Sequence, residues 1–388
     1  MRSKRLAADA PRVEPLKSPP IPWGRPTLFG EEEPLVLDAL RSTWISGGPY
    51  VERLEREIAD RVGARHGIAV SNGTTAIELA LRALELEPGA EVIVPGFTFV
   101  AAVNMVLAVG LTPLYADVTS DTWLLDPAEI HRLRTPRTKA VIPVHLYGNI
   151  ADMDGVSAAA SEWGLEVIED AAEAAFSRYG NRCAGTIGRA GTFSFHAAKT
   201  ITTGEGGMVV TGDDEFAARC RNLRNQGMSK DRRYWHDMVG HNFRLTNLQA
   251  AIGCGQLQAF DRIVAERRSI HDGYKQRLAG LTGVRLQHFD KHVDPLVWVT
   301  VVQLTDTRDP DIVRARRDRI MVGMADDGIE TRPGFYDLNL LPPYSCPALP
   351  IARRVSASTI ALPTFVGLGP EDLDRVCDSF GTHLRRTG

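Results

Sequence analysis

From Gly67 onward, short apolar runs alternate with helical patterns: GIAV, TTAIELALRAL, EVIVPG, FVAAVNMVLAVG, TPLYADV, PAEIHRLR, KAVIPVHLYG, VSAAASEWG and LEVIEDA. Alternation of this kind builds the α/β class, a doubly wound and mostly parallel sheet. Two more strand-like runs, GTFSFHA and GGMVVTG, flank a glycine-rich turn, so the sheet is expected to end in a hairpin-like pair before a charged helix at 213–224. After about Gly255 the texture changes to a long polar helix pattern (256–278), isolated strands such as PLVWVTVVQL, and a last helix near 370–384. The expected organisation is a loosely ordered arm (1–25), a large α/β domain (26–255) and a smaller α+β domain (256–388).

That size suits an enzyme, since 388 residues at roughly 100 to 200 per domain make two or three domains with ample core. Lys plus Arg is 45 and Asp plus Glu 48, a formal charge of -3, so no broad basic field exists to hold nucleic acid or anionic lipid. The stretch 92–116 is 25 residues without a charge and long enough to span a bilayer. Pro95-Gly96, Asn104, Gly110 and Pro113 cut it into strand, helix and strand, which argues for a core segment and against a membrane. The five cysteines are widely spaced with no C-x-x-C pair, and the proline-rich start has no apolar run of the signal-peptide kind. No disulfide framework or metal site is expected, and the expected setting is reduced and cytoplasmic.

In open α/β sheets ligands bind beyond the carboxyl ends of the strands. The polar residues there are Ser71-Asn72-Gly73-Thr74, Phe97-Thr98-Phe99, His145 and Tyr147, Asp170 and Glu173, and Ser194, His196 and Lys199. In SNGTTAIELALRAL a helix begins at about Thr74, and its free N–H groups and dipole make an anion site. On its own that motif reads first as ordinary capping by Asn72 or Thr74. Neither a Walker loop nor a G-x-G-x-x-G fingerprint is present, which disfavours a nicotinamide dehydrogenase. Lys199, in FHAAKTITTGEGG, stands between a strand and a glycine-rich turn among small and hydroxyl residues. A surface lysine is the default for an arbitrary lysine. A shielded amine instead has reason to shed its proton and attack an aldehyde. Asp170 and Glu173 end a strand that reads as buried, as partners of a pyridinium N–H, an acid/base pair, or charges at a helix start. Together, an anion cradle, an amine and a carboxylate match the phosphate, aldehyde and ring nitrogen of pyridoxal 5'-phosphate.

From about Arg25 to Cys377 the chain resembles the pyridoxal-phosphate-dependent sugar aminotransferases of the DegT/DnrJ/EryC1/StrS family, fold type I. The landmarks stand in order as TWISGGPYVERLE, VSNGTTAIELAL, VPGFTFVAAVN, HLYGNIADMD, EDAAEA, FSFHAAKTITTGEGGMVV, HNFRLTNLQAA, IETRP and LPTFVGL. The resemblance implies that Lys199 is the cofactor's attachment point and proton shuttle, and that Asp170 keeps the pyridine nitrogen protonated. Glu173 falls beside the cofactor hydroxyl, where many relatives carry Gln or His. Phe99 would stack on the ring, and Gly73, Thr74, Thr75 and Ser194 would hold the phosphate. Asn242 matches an asparagine that reaches the phosphate from the partner subunit, which implies a homodimer with shared sites.

A narrower likeness, in KTITTGEGGMVV and LRNQGMSKDRRYWHDMVGHNFRLTN, is to members that aminate a nucleotide-linked 4-keto-6-deoxyhexose such as GDP-4-keto-6-deoxymannose. The implied amino donor is an amino acid, L-glutamate first. Trp235, His236, Arg332, Tyr336 and Asn339 are candidates for substrate contact; interface packing is an equal reading for Trp235 and Tyr336. Asn339 stands where many relatives carry His, and Asp337 where Pro is usual. Two rivals remain at this point: an aminotransferase for a keto-cyclitol such as scyllo-inosose, and a regulatory protein of the same fold without turnover.

Overall fold

The computed structural model describes residues 19–307 and 309–387. Five strands come first: β1 (His66–Val70), β2 (Glu91–Pro95), β3 (Thr112–Ala116), β4 (Thr138–Val141) and β5 (Glu166–Asp170). Two short strands, β6 (Arg178–Tyr179) and β7 (Arg182–Cys183), precede β8 (Ala190–Ser194) and β9 (Gly207–Thr211). The remaining strands are β10 (Val284–Leu286), β11 (Val293–Asp294), β12 (Val301–Leu304), β13 (Arg332–Pro333) and β14 (Thr359–Ala361). The helices in the first half are α1 (Glu32–Arg41), α2 (Pro49–Val62), α3 (Gly73–Ala83), α4 (Ala101–Ala108), α5 (Pro127–Leu133), α6 (Met153–Trp163) and α7 (Asp214–Arg224). They are followed by α8 (Asn247–Gln258), α9 (Phe260–Leu278), α10 (Pro310–Asp326), α11 (Pro350–Ser358) and α12 (Pro370–Thr387).

The apolar runs form a seven-stranded sheet in the order β1-β9-β8-β5-β4-β2-β3. Pairing is parallel from β8 across to β3, while β9 runs antiparallel to both of its neighbours. This is the doubly wound α/β architecture, closed by the expected β8–β9 turnback. β2 is buried along its whole length, because helices lie on both faces of a parallel sheet and leave no wet side. The stretch 92–116 resolves into β2, α4 and β3, and among the described residues no helix is long and apolar enough to cross a membrane.

The C-terminal part folds on a four-stranded antiparallel sheet, β10-β12-β14-β13. Its own core gathers Ile270 and Tyr274 of α9, Val313 and Ile320 of α10, and Val376 and Phe380 of α12. The boundary expected at 255/256 falls inside α8, and the single helix expected over 256–278 is two, broken at Ala259. Gln256 keeps the end of α8 with the large domain, since its amide donates to Thr27 O at 3.0 Å and to Glu32 Oε1, tying α8 to the α1 side. Of the arm expected over 1–25, residues 1–18 lie outside the described residues. Residues 19–25 are fixed: Ile21 is buried, donates its N–H to Gly328 O (2.9 Å) and accepts from Glu330 N–H (2.9 Å). A short apolar residue bridged to Ile329 outweighs the proline-rich composition on which the loose arm rested.

Candidate active site

A cavity of about 670 Å³ opens where strand ends of the large sheet meet the C-terminal module. Gly73, Thr74, Ser194, Asp170, Glu173 and Lys199 all line it, as do Phe99, Arg332 and Tyr336. Residues far apart in sequence converge because each follows a strand: β1 leads into Gly73, β5 ends on Asp170, and β8 ends on Ser194.

The start of α3 is both a capped helix and a cradle. Asn72 Oδ1 accepts from Thr75 N–H at 2.8 Å, and Thr75 Oγ1 accepts from Asn72 N–H at 3.2 Å, a reciprocal capping box. Thr75 is therefore spent on the cap; its hydroxyl donates to Asn72 O (2.8 Å), and it is absent from the cavity wall. Gly73 must be glycine for space: a Cβ there would stand 2.8 Å from Ser194 Cβ. The backbone N–H groups of the first turn, with Thr74 and Ser194, leave a small polar concavity suited to an anion.

Asp170 accepts one described hydrogen bond at its carboxylate, from Ala172 N–H at 3.1 Å. Burial pushes its carboxyl above the ordinary range, against the pull of that N–H, of Lys199 and of His145. A buried acceptor with so few donors suits a protonated ring nitrogen. Glu173 is likewise raised by burial, which the Lys199 ammonium opposes. Its Oε1 accepts from Lys199 Nζ at 3.3 Å and its Oε2 from Tyr147 N–H at 3.3 Å. Tyr147 holds φ at +63°, in the left-handed region, at a cost of about 1–3 kcal/mol for a bulky side chain. Its ring stacks on Phe335 (centroids 5.6 Å apart, planes 7° apart), which helps to maintain that conformation.

Behind Asp170 lies a fully buried pair, His145 Nε2 to Glu169 Oε2 at 3.0 Å. Ala151 N–H donates to His145 Nδ1 (3.3 Å), so the proton sits on Nε2 and points at Glu169. Glu169 also accepts from the N–H groups of Gly185, Ile187 and Gly188, fixing the turn into β8.

The structure does not bring every expected residue together. Trp235, His236 and Asn242 do not line this chain's cavity. Trp235 is half exposed, and His236 Nδ1 pairs with Gln226 O at 2.9 Å. Asn339 turns inward on its own loop, donating Nδ2–H to Cys346 O (2.6 Å), and its N–H goes to the buried Asp337 at 3.0 Å. Those bonds are why it does not reach the cavity. Conversely, Trp23, Trp298 and Phe335 line the cavity without having been singled out in the sequence. The N-terminal motif IPW carried a signal for Trp23, a lone aromatic between proline and glycine; Trp298 lay hidden inside an apolar run.

Fold and site together define a pyridoxal-phosphate-dependent aminotransferase of fold type I. The chain belongs to the DegT/DnrJ/EryC1/StrS aminotransferase family, whose sequence profile matches residues 27–381. It is 43% identical over 363 residues to GDP-perosamine synthase of Caulobacter vibrioides, covering 92% of this chain and 96% of that one. The GDP-perosamine synthase of Escherichia coli O157:H7 is 40% identical, with 92% and 97% covered. Among solved structures, DesI with its TDP-sugar product superposes with a TM-score of 0.87 at 34% identity, covering 96% of this chain and 95% of that one. The putative sugar aminotransferase Spr1654 of Streptococcus pneumoniae in its PLP form gives 0.90 at 27% identity, covering 95% and 100%.

Proposed function

We propose that the chain moves an amino group from an amino acid, L-glutamate, to a nucleotide-linked 4-keto-6-deoxyhexose such as GDP-4-keto-6-deoxymannose. The observation that carries this reading is the meeting of Lys199, Asp170 and the α3 N-terminus in one cavity. The whole-chain likeness to two GDP-perosamine synthases supports the sugar.

Pyridoxal phosphate bound here would supply an electron sink for the carbanion left when a substrate carbon loses its proton. Lys199 Nζ would be its attachment point and the base positioned to take up and return a proton. Asp170 would accept the ring N–H and hold the proton on the nitrogen. Gly73 N–H, Thr74 and Ser194 would hold the phosphate, and Phe99, 54% exposed at the cavity wall, would offer a ring face. Arg332 offers a guanidinium within the cavity, oriented by Glu330 at 2.5 Å, for an anionic part of a substrate. In a homodimer, Asn242 would serve the other copy's phosphate. The exposed Tyr234, Trp235 and Val239 on the preceding segment, with Trp44 and Ile45, give apolar surface for that contact.

A half-reaction tests the reading. The enzyme is converted to its pyridoxamine form with L-glutamate, the donor is removed, GDP-4-keto-6-deoxymannose is added, and the visible absorbance of the lysine-bound cofactor is followed. Recovery with an amino-sugar nucleotide as product is the expected result. Recovery only with scyllo-inosose would replace the acceptor, and no reaction with any amino donor would overturn the assignment.

A further inference from the structure

Trp298 stands at the junction of four parts of the site. Its indole face lies over Lys199, with Nζ 3.6 Å from the ring centroid. Its ring N–H donates to Ala198 O, the residue before the lysine, at 2.6 Å. Its backbone N–H goes to Tyr147 O (3.1 Å), and its carbonyl accepts from the buried Arg267 Nη1 (2.9 Å). Trp23 meets the indole edge-on, with centroids 5.8 Å apart and planes 88° apart. Trp298 is 6% exposed, so its indole is packed on nearly all sides.

We propose that Trp298 positions the Lys199 amine: its π face, together with Glu173, holds Nζ, and its ring N–H clamps the backbone from which the lysine springs. The argument rests on the function proposed above, in which Lys199 is detached from the cofactor while it carries a proton between carbons. A free lysine side chain has four rotatable bonds and much rotamer freedom to lose. The two contacts on Nζ, 3.3 Å to Glu173 and 3.6 Å to the indole, are the ones that limit it. A cation over an aromatic face is attracted by the ring quadrupole at this range, more strongly when shielded from water. Trp298 is thus a positioning residue supplied by the C-terminal module to a lysine on the large sheet.

Holoenzymes carrying Trp298→Leu and Trp298→Phe test this. In Trp298→Leu, kcat of both half-reactions should fall roughly 10- to 100-fold, the scale on which small misplacements of a reacting group act, with KM for the sugar within about twofold of the parent. Trp298→Phe keeps a ring face over Nζ but loses the N–H to Ala198, and should recover part of that loss in kcat with KM unchanged. A readout independent of turnover uses cofactor-free protein: substoichiometric pyridoxal phosphate is added, trapped with borohydride, and mapped to peptides. The share of label on Lys199 should drop in Trp298→Leu and return in Trp298→Phe. Unchanged kcat and labelling, or a raised sugar KM with kcat intact, would overturn the proposal and make Trp298 a wall of the sugar pocket. If Trp298→Leu does not fold, Trp298→Met, which also lacks the ring face, takes its place at the parental melting temperature, with the same expected loss of label and the same overturning result. A parent that reacts with no amino donor would sink the functional reading, while the labelling shares would still judge Trp298.

Discussion

Two buried carboxyls three residues apart, Asp170 and Glu173, tie this protein's stability to pH. Both are raised by burial, so the folded chain binds protons that the unfolded chain gives up. Their contribution to stability is full below the ordinary carboxylate range and is lost as pH rises through the raised folded values. Thermal melts of the cofactor-free protein should therefore decline from acid toward neutral pH less steeply in Asp170→Asn than in the parent; equal slopes would refute the burial effect at Asp170. Lys199, Asp170 and Glu173 were legible in the sequence because each follows an apolar run at a strand end, where a charged residue is conspicuous. Trp298 was not, because inside PLVWVTVVQL it reads as one more apolar residue, and its role arises from contacts with Lys199 and Tyr147 distant in the chain.

Among the elements, α3 is the one whose exact placement the site depends on. Gly73→Ala would drive a methyl toward Ser194 and force the first turn off β8. Overpacking of this kind costs about 1–3 kcal/mol, and here it should also weaken cofactor binding, measured by fluorescence titration. Pairing it with Ser194→Gly should restore part of the stability. The strands and helices of the large sheet were largely legible, since period and punctuation agree there. PLVWVTVVQL was legible only in part: β12 begins at Val301, because Trp298's backbone bonds go to Tyr147 and Arg267 and not to a ladder. The break at Ala259 was invisible, because no proline, glycine or capping residue marks it in the sequence.

On the scale of the whole molecule, the site is shared between two modules of one chain and, in the proposed dimer, between two chains. Mixing the Lys199→Ala and Asn242→Ala variants tests the second point. Hybrid dimers then hold one site with both original residues if Asn242 acts across the interface, and none if it acts within its own chain. Activity above that of either variant alone is the expected outcome, and no gain would remove Asn242 from the shared site. The cradle at Gly73 is brought to the lysine-bearing turn by β1 docking on the reversed strand β9, which pairs locally with β8, and by Gly73 packing on Ser194. Local hairpins form early in folding, whereas pairings between distant segments wait on loop closure. The lysine turn should thus exist before there is anything for a phosphate to bind beside it. Cofactor capture should then report completed topology. In refolding experiments with pyridoxal phosphate present, its signal should rise with the slowest folding phase, and a rise in the earliest phase would show that the cradle assembles without the sheet.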